Sequence, residues 1–186
     1  MIHAAVSHIA SQFNQFLRRS YDLGEDMVVV SNILEQDGTL SPNVNNKLAM
    51  FLVNVEKDST AFRQGNTQSF SSSVSSYPPV FLNLYVMVAA CFNGGNYPEA
   101  LKLISHAVSY FQRQPYFDHQ NSPDLDKRIS KLALDIENLN VQDLSSLWGV
   151  LSGKYLPSVL YKVRMVCFDS ADILDKLEPI RGATVE

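Results

Sequence analysis

The chain has 186 residues and a formal net charge of −4, with 46% hydrophobic and 18% charged residues. This length predicts a single domain that can bury a core without disulfides or metal ions. The acidic balance argues against a nucleic-acid-binding protein, because that affinity comes largely from Lys and Arg side chains that neutralise phosphates.

The cysteines and the N-terminus indicate where the chain resides. Cys91 and Cys167 lie within apolar runs, which predicts buried free thiols in a reducing compartment. The N-terminus has no basic stretch before an apolar segment, so we expect no signal peptide. No apolar run reaches the ~20 residues that a membrane helix needs, so we expect no membrane insertion.

Helical and extended patterns alternate along the chain. Helical spacing of apolar residues predicts a first helix over 2–23, with Asn14 on its outer, polar face. Further helices are predicted between Asn96 and Pro115, and from an N-cap at Asn140 to Gly153. Val-rich or alternating segments predict strands at 27–34, 47–55, 80–91, 130–138 and 159–168. Residues 80–91 are apolar almost throughout and are expected at the centre of the sheet.

These elements define a fold class. The order α-β-β-loop-β-α-β-α-β predicts an α/β (α+β) domain, with a mixed sheet of about five strands flanked by about three helices. Residues 58–77 are polar and serine-rich, and 116–126 are predicted to be irregular. We assign the domain to residues 1–169 and a C-terminal tail to residues 170–186.

The sequence contains no recognisable catalytic or cofactor motif. GxSxG, HExxH, P-loop and GxGxxG patterns are all missing. Gly94 and Gly95 are interpreted as a plain turn, although they occupy the place of a phosphate loop. His3 and His8 are five apart, and metal ligands on a helix would be three or four apart. We therefore expect no cofactor and no metal.

A few side chains still merit an interpretation. His119, next to Asp118, is the one candidate acid or base. The carboxylate pairs Asp135/Glu137 and Asp124/Asp126 are typical of a solvated strand edge and a turn. Trp148 is predicted to anchor its helix on the sheet.

Several segments resemble a known family. The relevant segments are 28–32 followed by 36–38, then 77–85, 97–103, 119–125 and the long segment 147–165. Together they are similar to the cap, or tail-terminator, proteins of extracellular contractile injection systems of the antifeeding-prophage and virulence-cassette type. The similarity runs through nearly the whole chain, and 147–165 is its most specific part.

The resemblance implies a structural role. A family member would form a six-fold ring, alone or with a paralogue, that ends inner-tube polymerisation and holds the last sheath ring. It would be made in the bacterial cytoplasm and become part of a particle that is released or membrane-anchored. Two alternatives stay open: another adaptor or baseplate component of the same particle, and a small-ligand enzyme that uses Asp118 and His119.

Partner contacts are expected at an open sheet edge, where a sheath protein could add a strand. Residues 130–138 and the tail are the expected segments. Residues 66–76 and 116–126 are further candidates, for contact with the tube and with a neighbouring subunit. The expected partner-binding residues are Lys131, Asp135, Glu137, Asp169, Leu177, Pro179, Ile180 and Arg181.

Overall fold

A computed structural model describes residues 1–21, 24–58, 80–151 and 154–167. In chain order, its elements are α1 (Ile2–Tyr21), β1 (Val28–Val30), β2 (Lys47–Lys57), β3 (Val80–Cys91), α2 (Tyr97–Arg113), β4 (Tyr116–Asp118), β5 (Ile129–Ile136), α3 (Val141–Val150) and β6 (Ser158–Cys167). Single 3-10 turns lie at Pro42–Val44 and Gly94–Asn96. The predicted contact region 66–76 and the whole C-terminal tail, residues 170–186, lie outside the described residues.

The strands form one mixed sheet in the order β1-β2-β3-β6-β5-β4. β1 is parallel to β2, and every other neighbouring pair is antiparallel. β3 and β6 pair along ten positions, from Val80 with Cys167 to Ala89 with Ser158. The predicted α/β class and the central position of 80–91 are both confirmed.

The sheet has one strand more than predicted. β4 lies within 116–126, the segment expected to be irregular, and it pairs with Lys131–Ala133 of β5. Three residues after a proline are too few to show an alternation of apolar and polar side chains. This strand therefore forms only because β5 pairs with it. The predicted strand 27–34 is also shorter, because only Val28–Val30 pair with β2. Beyond it, the chain folds into a turn closed by Leu34 and Leu40, with Gly38 at a φ of 80°.

Each face of the sheet has its own apolar cluster. α1 and α2 cover one face, and their cluster includes Phe13, Leu48, Leu84, Val163 and Met165. α3 and residues 31–44 cover part of the opposite face, around Trp148, Met87, Ala89 and Leu160. Trp148 is 3% exposed, which confirms its predicted role as the anchor of α3.

Helix α1 contacts both edges of the sheet. Asn14 bonds to Val28 of β1, and the His8 ring lies 5.5 Å from the ring of Phe117 on β4. Five strand spacings of ~4.8 Å separate these edges, so in a flat sheet they would lie ~24 Å apart, about twice the width of a helix. The sheet must therefore curl around α1, and we call the side that holds α1 the concave face.

Asn14 closes the outer edge of β1. Its amide nitrogen donates to the Val28 carbonyl at 2.8 Å, and its amide oxygen accepts from the Val28 N–H at 2.9 Å. Both Val28 groups point away from β2, so the amide replaces a neighbouring strand. The prediction that Asn14 lies on the polar outer face of α1 was wrong, because the curled sheet reaches that side of the helix and leaves Asn14 only 8% exposed.

Asn121 closes the opposite edge in the same way. Its amide oxygen accepts from the N–H of Asp118 at 3.0 Å, and its nitrogen donates to the carbonyl of Tyr116 at 3.1 Å. Gln114 also donates to that carbonyl. In each three-residue edge strand, a side-chain amide from the same chain thus bonds one outward N–H and one outward C=O.

Replacing Asn14 with Ala tests this closure. The change leaves two backbone groups of Val28 without partners, so we expect it to lower the free energy of unfolding by about 2–4 kcal/mol. Gln15→Ala, at an exposed position of the same helix, is the matched control and should stay within about 0.5 kcal/mol of the parent chain. Urea denaturation measures both changes. Equal losses in the two variants would contradict the role of Asn14.

Candidate functional site

The predicted acid/base pair does not assemble. The Asp118 carboxylate accepts from the backbone N–H groups of Gln120 and Asn121, at 2.9 and 3.1 Å. It therefore shapes the turn after β4 instead of orienting an imidazole, and His119 is exposed on that turn. Nothing in the described part of the chain gives His119 a catalytic partner.

The other histidines are also dispersed. His8 is 8% exposed, lies 3.9 Å from the Asp124 carboxylate and has no hydrogen-bond partner at Nε2. Burial lowers the pKa of His8, and the nearby Asp124 carboxylate opposes this shift only in part. His106 Nδ1 and the Tyr21 hydroxyl form a hydrogen bond of 2.8 Å. Its pKa is lowered by burial and by Lys102.

The carboxylate pairs have structural partners. Asp124 accepts from Gln12 on α1, and the Arg128 guanidinium bonds both carboxylate oxygens of Asp126. The Arg128 hydrogen bonds hold the pKa of Asp126 well below its usual range. Within the described ranges, no three His, Cys, Asp or Glu side chains are grouped so that they could hold a metal ion.

Neither the glycine turn nor the cysteines form a reactive site. Gly94 and Gly95 begin an exposed 3-10 turn before α2. Cys91 and Cys167 are buried free thiols, as predicted. Burial raises the pKa of Cys91 to about 11 and also raises that of Cys167, which keeps both protonated and unreactive near neutral pH. No helix among the described residues is long and apolar enough to span a membrane.

Three of the predicted partner-binding residues lie on or beside β5, the strand next to the β4 edge. The Lys131 ammonium lies 4.9 Å from the centre of the Tyr116 ring, and Asp135 pairs across the sheet with Lys162. The Glu137 N–H donates to the Leu160 carbonyl. Their role in partner binding stays a prediction. The other five lie outside the described residues: Asp169, Leu177, Pro179, Ile180 and Arg181.

The face of the sheet opposite α1, which we call the convex face, presents a polar surface around β5 that α3 does not cover. Tyr85 donates to Glu56 at 2.9 Å, and Lys162 lies over the Tyr85 ring at 5.7 Å. Arg164, exposed on β6, is flanked across the sheet by Asn83 and Ala133. The Asn83 side chain is buried, and its amide oxygen has no hydrogen-bond partner.

The sheet has two edge stretches that no described residue pairs with. β1 pairs with β2 only as far as Met50, so the outer side of β2 is open from Leu52 to Lys57. A bulge between Leu52 and Asn54 interrupts this stretch. β4 pairs with β5 only as far as Ala133, and the Leu134 N–H donates to the Pro115 carbonyl. The outward backbone N–H and C=O of Ile136 are therefore not paired with any described residue at the other edge of the sheet.

Comparisons with known proteins identify this architecture. The sequence profile of the Pvc16 N-terminal domain matches residues 5–181. The fold is similar to a protein described as the PVC sheath/tube terminator of an extracellular contractile injection system in its extended state. That match has a TM-score of 0.57 and 14% identity, and covers 96% of this chain and 61% of the other.

A second similar structure is the anti-feeding prophage cap, described as the AFP tube terminating cap. Its TM-score is 0.55 at 13% identity, with 95% of this chain and 59% of that one covered. The chain thus spans about three fifths of the length of each. No relative was found among curated protein sequences.

The buried histidine predicts how stability depends on pH. The folded-state pKa of His8 lies below the ordinary value of 6.5, so the unfolded chain takes up the proton first. The stability that neutral His8 provides is therefore present above pH 6.5 and is lost as pH falls below it. We expect the free energy of unfolding, measured in urea from pH 7.5 to 5.5, to fall less steeply in His8→Gln than in the parent chain. Gln15→Ala, at an exposed and non-titrating position of the same helix, is the control and should keep the parent slope, and an unchanged slope in His8→Gln would contradict this assignment.

Proposed function

The chain belongs to the family of the Pvc16 N-terminal domain, and on this premise we propose that it is the structural cap, or tail terminator, of a contractile injection system. In this role it forms a ring that ends inner-tube polymerisation and holds the last sheath ring. The observation that carries the proposal is the match of nearly the whole chain to two proteins described as a sheath/tube terminator and a tube terminating cap.

The geometry of the edges suits such a role. A terminator must offer a surface that joins the polymer and must prevent uncontrolled addition. Asn14 and Asn121 each occupy one outward N–H and one outward C=O of an edge strand, which leaves fewer groups for strand-by-strand growth. A head-to-tail interface that closes into a ring likewise stops propagation. Contacts repeated around a ring add through avidity, so each one can be modest.

The partners follow from this role. The chain would assemble with itself, as a hexamer and with or without a paralogue, and with sheath and inner-tube proteins. Lys131, Asp135 and Glu137 lie on or beside β5, next to an open edge, and are proposed to contact these proteins. The tail, residues 170–186, is proposed as a second docking element. The site of action is the assembled extracellular particle.

No chemical step is part of this proposal. The Asp118 carboxylate is engaged by a turn, and His119 is exposed without a described partner. The terminator role needs neither a catalytic group nor a cofactor, because closing a polymer is a matter of surface complementarity.

Removing the chain from producing cells tests the proposal. We expect particles whose inner tubes vary widely in length and lack an intact cap, as seen by negative-stain electron microscopy. Restoring the chain should restore uniform length. Normal particles in its absence would rule out a terminator. Uniform tubes with a disrupted baseplate would instead indicate an adaptor or baseplate component.

His119→Ala separates the structural role from an enzymatic one. We expect capped particles of normal length that act on target cells as the parent particles do, because the side chain is exposed and holds no described contact. Assembly with normal length but complete loss of particle activity would contradict a purely structural role. Val141→Ala, at a position 84% exposed on α3, is a matched surface control.

A further inference from the structure

A cleft of about 460 Å³ lies between the C-terminal half of α2 and the end of β5. Its walls combine the apolar residues Val108, Phe111, Leu134 and Ile136 with the polar residues Gln112 and Asp135, and Tyr161 from β6 also lines it. Ile136 is 45% exposed at its rim. An aliphatic side chain inserted here would be removed from water on several sides, which is the main source of affinity in a small apolar site.

Tyr161, one of the residues that line the cleft, carries an unsatisfied polar group. The side chain is 2% exposed, yet its hydroxyl has no hydrogen-bond partner. Burial without a partner raises the pKa of Tyr161 well above its usual range. A buried hydroxyl left unpaired costs stability in the isolated chain. A carbonyl or carboxylate brought into the cleft would give the hydroxyl an acceptor.

The rim of the cleft also offers backbone hydrogen bonds. The Glu137 N–H bonds to β6, and the Leu134 N–H bonds outward to Pro115. By the alternation of the ladder, Ile136 turns its N–H and C=O outward, past the end of β4. No described residue pairs with them. An open backbone donor and acceptor beside an apolar cleft is the arrangement that accepts an added strand.

The chain itself supplies a segment of suitable chemistry. β6 ends at Cys167, and residues 168–186 follow, with Ile173, Leu174, Leu177 and Ile180 among them. Extended at ~3.3 Å per residue, a segment of that length reaches up to ~60 Å, enough to span a neighbouring subunit. The family profile extends to residue 181, so most of this segment belongs to the matched domain.

The geometry favours a neighbour's cleft over the segment's own. Cys167 and Tyr161 lie at opposite ends of β6, ~20 Å apart at ~3.3 Å per residue. β4 already occupies the stretch of the β5 edge from Lys131 to Ala133, which lies between them. The described β5 edge is therefore not open along its whole length between Cys167 and the cleft, which favours a neighbour's cleft as the site.

We propose that residues 168–186 of one copy add as an extended strand at Ile136 of the next copy and place an aliphatic side chain in its α2/β5 cleft, where the Tyr161 hydroxyl gains an acceptor. This inference rests on the proposed ring, because it needs a second copy. It joins the two segments predicted from the sequence to bind partners, β5 and the tail, into one subunit contact.

Mixing two singly substituted chains tests the contact. One chain carries Ile136→Cys and the other carries Leu177→Cys or Ile180→Cys, and Cys91 and Cys167 are buried in both. Mild oxidation should give a disulfide-linked dimer between the two kinds of chain on a non-reducing gel. Val30→Cys is the matched control, since Val30 is 43% exposed at the end of the opposite edge strand, and it should give little dimer. Absence of the dimer, equal dimer from Val30→Cys, or only intrachain bridging in a chain that carries both Ile136→Cys and Leu177→Cys would overturn the proposal.

Substitutions in the cleft give an independent readout. We expect Ile136→Asp to raise the concentration at which half of the chains enter rings, measured by mass photometry, by tenfold or more, whereas Val30→Asp leaves it nearly unchanged. Tyr161→Phe should raise the same concentration by about three- to tenfold, the effect of one hydrogen bond. It should also leave the melting temperature of the monomer unchanged or higher, which separates the contact from simple misfolding.

The outcomes separate this inference from the proposed function. If chains with a substituted cleft form rings normally and no disulfide-linked dimer is found, the tail contact is contradicted but the terminator role stays intact. Failure of the parent chain to form rings, alone or on tube ends, contradicts both.

Discussion

The fold depends on the insertion of α1 into a curled sheet. A single helix packs against Val28 at one edge and Phe117 at the other, so the sheet cannot flatten without losing one of these contacts. The cost of this arrangement is two edge strands with outward backbone groups. Asn14 and Asn121 offset that cost, because each amide presents the same donor and acceptor that a neighbouring strand would present. The curvature of the sheet and the need to give its edge strands hydrogen-bond partners therefore both follow from the position of α1.

That constraint also limits where the domain can join other chains. With Val28 of β1 and the outer side of β4 engaged by side-chain amides, two open stretches of the described sheet lie beyond Met50 on β2 and beyond Leu134 on β5. The β2 stretch is interrupted by a bulge, a common device against unwanted pairing. The β5 stretch adjoins a partly apolar cleft lined in part by Tyr161, whose hydroxyl has no partner, so it is the more suitable site for a specific contact. A terminator benefits from this restriction, since it must bind at defined surfaces and nowhere else.

Much of the fold could be predicted from the sequence, because the long elements have strong local patterns. The apolar run 80–91, the Asn140 cap and the anchoring role of Trp148 all depend on neighbours close in sequence. The misses arise from long-range contacts. Locally, Asn14 differs from the exposed polar residues of α1 only in its place beside the apolar stripe, and β4 forms only because β5 lies beside it. An asparagine at a helix position adjoining the apolar stripe was the one available signal. The open backbone position at Ile136 and the Tyr161 hydroxyl without a hydrogen-bond partner could be recognised only from the assembled sheet.

The most direct measurement of the central claim is a polymerisation assay with purified inner-tube protein. Increasing amounts of the chain are added to growing tubes, and lengths and ends are scored by electron microscopy. The account predicts that tubes become shorter in proportion to the added chain and carry a ring at one end only. Unchanged lengths, or chain distributed along the tube wall, would contradict the assignment as a terminator.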